Sequence, residues 1–491
     1  MQPTQRSVRV TLLVALGLVV GLRDATGQPA PLADAAKRHD WTVVRVLLDE
    51  GTDVNLPLGD GATALHWASY WDHSGMTTRL LQAGAVVDAT NDLGVTALWL
   101  AANNASREMT QSLLVAGADP GIALPSGETP LMTAARTGDP DVVSLLLTYG
   151  AAVDLRERSH GQTALMWAVS QEHPAVVGLL LKHGARVDER SDVYPQVVSS
   201  SGNADRSGVF EVEQGGYTPL LFAARTGGVE SARLLLAAGA DVNESAAMGT
   251  SPVVVAAHSG HRAVAEVLLR AGADPTRVEG GYTALHAAVL RGDEVLVKAL
   301  LAHGADPDQT MTRGTPARRV SADWRLPHSM IGATPFWIAA RFREPQIMEI
   351  LADHGADPQT ALRGETSVVA AIRGGTTRGR FGIRLADAAD ERRRTIQAVS
   401  LALDVGADVE ACTESGDTAL HAAATRRLDD VIGLLAERGA TLDVRNEAGQ
   451  TPLGLALTGP QGLGARYSSG DTSSTTAELL RELGAVDTGL P

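Results

Sequence analysis

The chain has 491 residues, 44% of them apolar but only 4% aromatic, with a formal charge of −15 and a single cysteine. That acidic balance excludes wholesale attraction to nucleic acid or to an anionic membrane, while leaving room for a local basic stripe. The lone Cys412 excludes an intramolecular disulfide, so packing must hold the fold; a buried, inert thiol is expected there, with an intermolecular bridge as the alternative.

Residues 1–27 read as a secretory signal peptide. Arg6 and Arg9 precede an apolar stretch from Val10 to Leu22, and Ala25 and Gly27 are small residues before a cut ahead of Gln28. A helix of that length spans ~20 Å against a hydrocarbon core of ~30 Å, which disfavours a permanent anchor. Without three arginines and one aspartate of that segment the charge becomes −17. Only three of the 42 cationic residues are lysine (Lys37, Lys182, Lys298), the bias of a GC-rich bacterial genome. The expected address is periplasmic or secreted.

From residue 28 onward one unit is written repeatedly. A glycine opens each copy: Gly61, Gly94, Gly127, Gly161, Gly216, Gly249, Gly281, Gly332, Gly364, Gly416 and Gly449. Seven of the ten steps are 32 to 34 residues and the other three are one period plus an insertion, which is the mark of a repeat array. In the copy from Gly215 to Asn243, Thr218 stands where a helix N-cap accepts a backbone N–H, and Pro219 loses no needed donor at the first helical position. Ala223 and Ala224 let a neighbouring helix approach closely. Gly227 and Gly228 break the chain before a second helix, VESARLLLAAG, which Gly239 ends as a C-cap. Such a unit cannot bury its apolar face alone, so it must stack on both neighbours.

The pattern G-x-T-P-L-x-x-A-A followed by L-L-L-x-x-G-A-D-x-N resembles the ankyrin repeat, with ATALHWA at 62–68, YTALHAA at 282–288 and DTALHAA at 417–423 as close matches. The resemblance runs from about Leu32 to Asp487. It implies an all-α repeat solenoid of about twelve stacked helix-turn-helix units with β-hairpin fingers at one edge. At ~8–10 Å between packed helices, the solenoid is expected to be on the order of 100 Å long. Residues 28–491 then form one array, with an N-capping unit at 32–55 and repeats over 61–487. Finger insertions fall at 188–215 and 308–331, and inter-helix insertions at 373–391 and 458–475. Ser191 to Gln214 carries four acids and one arginine, whereas Asp308 to Ile331 carries four arginines and two aspartates beside Trp324 and His328.

No H-E-x-x-H, C-x-x-C, G-x-S-x-G or G-x-x-x-x-G-K-[ST] occurs. The Thr63–His66, Thr283–His286 and Thr418–His421 pairs recur in separate repeats, too far apart to share a metal, and the resemblance makes these histidines structural. His183, His303 and His354 complement helix C-termini, and the G-A-D aspartates (Asp119, Asp241, Asp274, Asp306, Asp357, Asp408) support local turns. No catalytic residue, cofactor or metal is expected.

In the resemblance, ligand contact comes from finger tips and from the exposed ends of the first helices. Carried over, this selects Tyr217 and Tyr282 after the opening glycines, and Tyr70, Trp71, Arg136, Arg225, Arg291, Arg341 and Phe342 at helix ends. Arginine beside Tyr, Trp and Phe is the mixture enriched at interface hot spots; the alternative is that these arginines pair within the scaffold. Trp67, Trp99, Trp167 and Trp337 are expected to pack between repeats. The function expected is non-catalytic binding of another protein across a concave face and the long fingers, by a chain taken as monomeric. Binding of an acidic glycan or other polyanion on the arginine stripe, or an unrecognised enzyme site in an insertion, are the alternatives.

Overall fold

Most repeats start from the same local device. In the computed structural model, which describes residues 30–199, 209–314, 328–375, 388–458 and 473–486, Thr218 Oγ1 accepts from the Leu221 N–H at the start of Pro219–Thr226. Thr96, Thr129, Thr334 and Thr366 cap their helices the same way. Gly227 then adopts φ +92°, a left-handed geometry that glycine takes without a Cβ clash, and turns the chain into the next helix.

The chain forms two compact units, Met1–Arg186 and Val187–Pro491. In the first, helices pair as α1 (Pro31–Lys37) with α2 (Trp41–Asp49), α3 (Ala64–Tyr70) with α4 (Ser74–Gln82), and α5 (Ala97–Asn103) with α6 (Arg107–Val115). Two further pairs are α7 (Pro130–Thr137) with α8 (Pro140–Thr148), and α9 (Ala164–Ser170) with α10 (Pro174–Lys182). First helices stack on first helices and second on second. The stack closes on alanines and leucines: Ala68, Ala101, Ala134 and Ala168 are fully buried, as are Leu80, Leu113, Leu146 and Leu180.

The second unit begins with a two-stranded ribbon, β1 (Val193–Ser199) antiparallel to β2 (Val209–Gly215). The pairs α11 (Pro219–Thr226) with α12 (Val229–Ala237), α13 (Pro252–Ser259) with α14 (Arg262–Arg270), and α15 (Ala284–Arg291) with α16 (Glu294–Ala302) follow. Next come α17 (Pro335–Phe342) with α18 (Pro345–Asp353), and α19 (Ser367–Arg373) with α20 (Ala388–Asp404). The last are α21 (Ala419–Arg426) with α22 (Asp429–Glu437), and α23 (Pro452–Thr458) with α24 (Ser473–Glu482). A short ladder, β3 (Ala361–Leu362) with β4 (Glu365–Thr366), precedes α19.

Polar contacts fix the step between neighbours. All six G-A-D aspartates accept from the backbone two residues on, at 2.7–2.9 Å. Asn55 and Asn243 reach the next repeat, accepting from the Val86 and Asp274 N–H at 2.8 Å. His66 Nδ1 accepts from Thr63 N–H while its Nε2 donates to the Val95 carbonyl, at 3.1 and 2.9 Å. His286 repeats this with Ala333 and His421 with Gln450. Each ring is therefore neutral and structural. His183, His303 and His354 donate Nδ1–H to the carbonyl four residues back.

Two expectations change. Regular strand pairing occurs at only two connections among the described residues; elsewhere a closing bond such as Leu58 N–H to the Ala62 carbonyl makes a tight turn too short for a ladder. Cys412, expected to be buried, is exposed in the turn that follows α20. The 308–331 insertion is pinned at its base, where Met311 N–H donates to the Ala333 carbonyl at 3.0 Å. Its middle, with Trp324, lies outside the described residues, as do the signal segment and most of 373–391 and 458–475.

Candidate binding surface

In the first unit, the end of α3 carries an aromatic cluster. Tyr70 is half-buried, with its ring edge-on to Trp67 at 5.6 Å and to Trp71 at 5.0 Å. Trp71 is 42% exposed and lies 5.0 Å from the His39 ring. Around it Trp41 packs edge-on to His39 and His73, and Lys37 Nζ sits 5.4 Å above the Trp67 ring. Trp41, His39, His73 and Lys37 were missed in the sequence, since they come from the capping unit and the inter-helix turn. Asn104 closes the cluster from the next repeat by donating to the Ser69 carbonyl at 2.9 Å.

Arg136 is engaged on three sides. Its guanidinium donates to Asn103 Oδ1 at 3.2 Å, lies 3.8 Å from Glu128 and stands 5.8 Å from the centre of the Trp167 ring. Trp67 and Trp99 are core residues, 5% and 6% exposed.

In the second unit, Arg225 is exposed and lies 5.8 Å over the half-buried Tyr217 ring, which in turn leans on Phe222. Arg291 donates Nε–H to the His258 carbonyl at 2.6 Å, capping the end of α13 from the following repeat. Arg341 is half-buried beside further cations. Among them Arg343 is 2% exposed and donates to the carbonyls of Ala371, Ile372 and Gly374. Burial, then the charge of Arg426, pulls the Arg343 pKa down to about 10, with Glu391 opposing. Arg426 donates to the same Ile372 and Gly374 carbonyls, so two guanidinium groups satisfy the C-terminus of α19.

Two sequence-selected residues are corrected. Tyr282 is buried against His258, and burial raises its hydroxyl pKa. Phe342 is also buried, 8% exposed, because α17 turns its last residue into the stack. Neither offers a side chain to a partner. The arginine stripe is thus partly internal: Arg136 and Arg291 hold neighbouring repeats, while Arg225 and Trp71 face solvent.

Glu244 was not singled out by sequence. It is 8% exposed under the base of the β1–β2 ribbon, where Thr218 Oγ1 donates to it and Arg190 lies 3.7 Å away. Burial raises its pKa to about 7, against the lowering by Thr218 and Arg190. The signal was an acid at a turn position where only the preceding repeat, with Glu189, has another, while Leu56, Arg277, Gln309, Thr360 and Ala411 stand there elsewhere.

A family model described as ankyrin repeats (3 copies) matches residues 32–123, 98–191, 201–279, 247–311 and 274–362, and one described as ankyrin repeat matches 415–447. The chain belongs to the ankyrin-repeat family. Ankyrin repeats generally mediate protein–protein binding, as scaffolds rather than as enzymes. Among solved structures, the crystal structure of the human ASB11 ankyrin repeat domain is similar at 26% identity and a TM-score of 0.41, covering 50% of this chain and 100% of that one. In this ankyrin-repeat chain no described helix is long and apolar enough to cross a membrane. Among the described residues no group of three or more His, Cys, Asp or Glu side chains could hold a metal ion.

Proposed function

We propose that the chain is a non-catalytic scaffold of twelve ankyrin units that binds another protein through the ends of its first helices and its long fingers, in the periplasm or outside the cell. The observation that carries the binding reading is Trp71, 42% exposed beside Tyr70 at the head of an aromatic cluster, with Lys37 over the neighbouring Trp67 ring. Exposed tryptophan beside tyrosine is the aromatic composition of interface hot spots. Support for export is the order of basic, apolar and small residues over 1–27.

The test is recovery of a polypeptide from the envelope fraction with the full chain, followed by affinity measurement on the purified pair. Trp71→Ala is expected to cost ~2 kcal/mol or more of binding, beyond a loss of about 1 kcal/mol of stability from its ring contacts with Tyr70 and His39. Recovery of nothing beyond an unrelated ankyrin control overturns the scaffold reading. Intact Met1 in a soluble cytoplasmic pool, instead of a new N-terminus near Gln28, overturns the location.

A further inference from the structure

The β1–β2 ribbon has two outer edges, and Pro195 tells them apart. A proline inside a ladder must sit where its nitrogen points away from the partner strand. Pro195 pairs with Glu213, so that pair exchanges no hydrogen bonds, and neither does the alternate pair of Val197 with Glu211. The backbone groups of these residues point outward. On the outer edge of β1 the missing Pro195 donor blunts the edge, as natural sheets do against unwanted pairing. On the outer edge of β2 the N–H and C=O of Glu211 and Glu213 stand open, and no further backbone bond is made to them among the described residues. That side already pairs once at the base, where Ala247 N–H of the following repeat donates to the Gly215 carbonyl at 3.1 Å.

The two faces of the ribbon differ as well. Directly paired residues share a face, which puts Val193, Pro195 and Val197 beside Glu211 and Glu213. All five are exposed, Val193 by 51% and Val197 by 68%. The opposite face is partly packed, with Gln214 Nε2 donating to Met248 Sδ at 2.9 Å. The stem is held firmly, since Arg190 donates to the Gly216 and Ser245 carbonyls at 3.0 and 2.7 Å.

We propose that the β2 edge takes up an extended segment of another protein as a third strand, with lysine or arginine at alternate positions opposite Glu211 and Glu213. This rests on the protein-binding reading above and specifies its surface and partner chemistry. Alternate residues of a strand stand ~6.6–6.8 Å apart and on one side, so two carboxylates at 211 and 213 match two cations spaced by one residue. Opposite charges directly across a ladder stabilise it and like charges destabilise it. A second copy of this edge would set carboxylates against carboxylates, so self-pairing is disfavoured and the partner is a basic strand.

The probe is a fluorescent seven-residue peptide alternating lysine and threonine, titrated into the full chain, with a glutamate–threonine peptide as its counterpart. The basic peptide is expected to bind at least tenfold more tightly than the acidic one and to slow amide exchange over 209–216. Glu213→Pro removes an outward N–H without touching the β1 ladder, and is expected to weaken binding at least tenfold with an unchanged circular-dichroism spectrum. The double variant Glu211→Gln, Glu213→Gln keeps the backbone and is expected to weaken binding several-fold and flatten its salt dependence. Equal affinity of the Glu213→Pro and native chains, or an unaltered salt dependence in the double glutamine variant, overturns the proposal. A purified partner retained equally by native and Glu213→Pro chains also refutes the edge, yet leaves the scaffold reading standing.

Discussion

Glu244 makes the stability of the second unit depend on pH in a direction that can be worked out in advance. Its carboxyl is almost wholly buried, and burial raises the pKa from 4.5 to about 7. A group whose folded pKa exceeds its unfolded value binds more protons when folded. Its stabilising contribution is therefore complete below pH 4.5 and is lost as pH rises through about 7. At ~1.4 kcal/mol per pKa unit the loss is ~3 kcal/mol across that window. Glu244→Gln keeps the shape and an acceptor for Thr218 but cannot ionise. Urea unfolding of the native and variant chains, followed by far-UV circular dichroism at pH 5, 6.5 and 8, reads the effect. The variant should gain on the native chain by ~3 kcal/mol between the ends of the series. A difference between the two that stays flat from pH 5 to 8 would show that the buried carboxyl is not held near neutral pKa, and the argument from burial would fall.

His286 should act in the opposite sense: burial lowers its pKa from 6.5 to about 4, so its contribution is present above pH 6.5 and lost as pH falls through 4. His286→Gln is then expected to flatten the acid limb of the urea midpoint, and an unchanged limb would contradict that placement. Gly227 and Gly239 share φ +92°, but a Cβ on Gly227 would lie 2.6 Å from His261 Nδ1 while one on Gly239 meets nothing within 4 Å. Gly239→Ala should cost ~1–2 kcal/mol for the left-handed backbone alone, and Gly227→Ala measurably more; equal losses in thermal melts would dismiss the steric part. Arg291→Ala should lower stability by ~1–2 kcal/mol, because a charged hydrogen bond to the His258 carbonyl is lost. Arg225→Ala should cost no more than ~1 kcal/mol for its contact with Tyr217, and the reverse order in melting temperature would reject this division of the stripe.

What the sequence made legible was local. The threonine caps, the G-A-D turns and the Thr–His pairs all close within a few residues, so their partners can be read from spacing. What it hid depends on the neighbouring repeat. Tyr217 and Tyr282 occupy equivalent positions, yet His258 covers one ring and Arg225 lies over the other. For Arg136 and Arg291 pairing within the scaffold stayed an open alternative, because their partners, Asn103 and the His258 carbonyl, stand about one period away. The ribbon was expected as a long acidic finger, but its two unequal edges follow from the pairing of Pro195 with Glu213, which no spacing rule supplies.

The histidine bridges have a consequence for how such a chain can grow. His66 and His421 each reach a carbonyl 29 residues ahead, while His286 makes the same bond to one 47 residues ahead. The added stretch is tied off by the Met311–Ala333 and Gly332–Met311 bonds before the bridge is made. The next repeat therefore meets its neighbour at the usual place, as though the extra residues had been spliced out. Loops can lengthen or diverge at that point without re-registering any helix, which leaves new surface open to selection while the scaffold behind it stays unchanged.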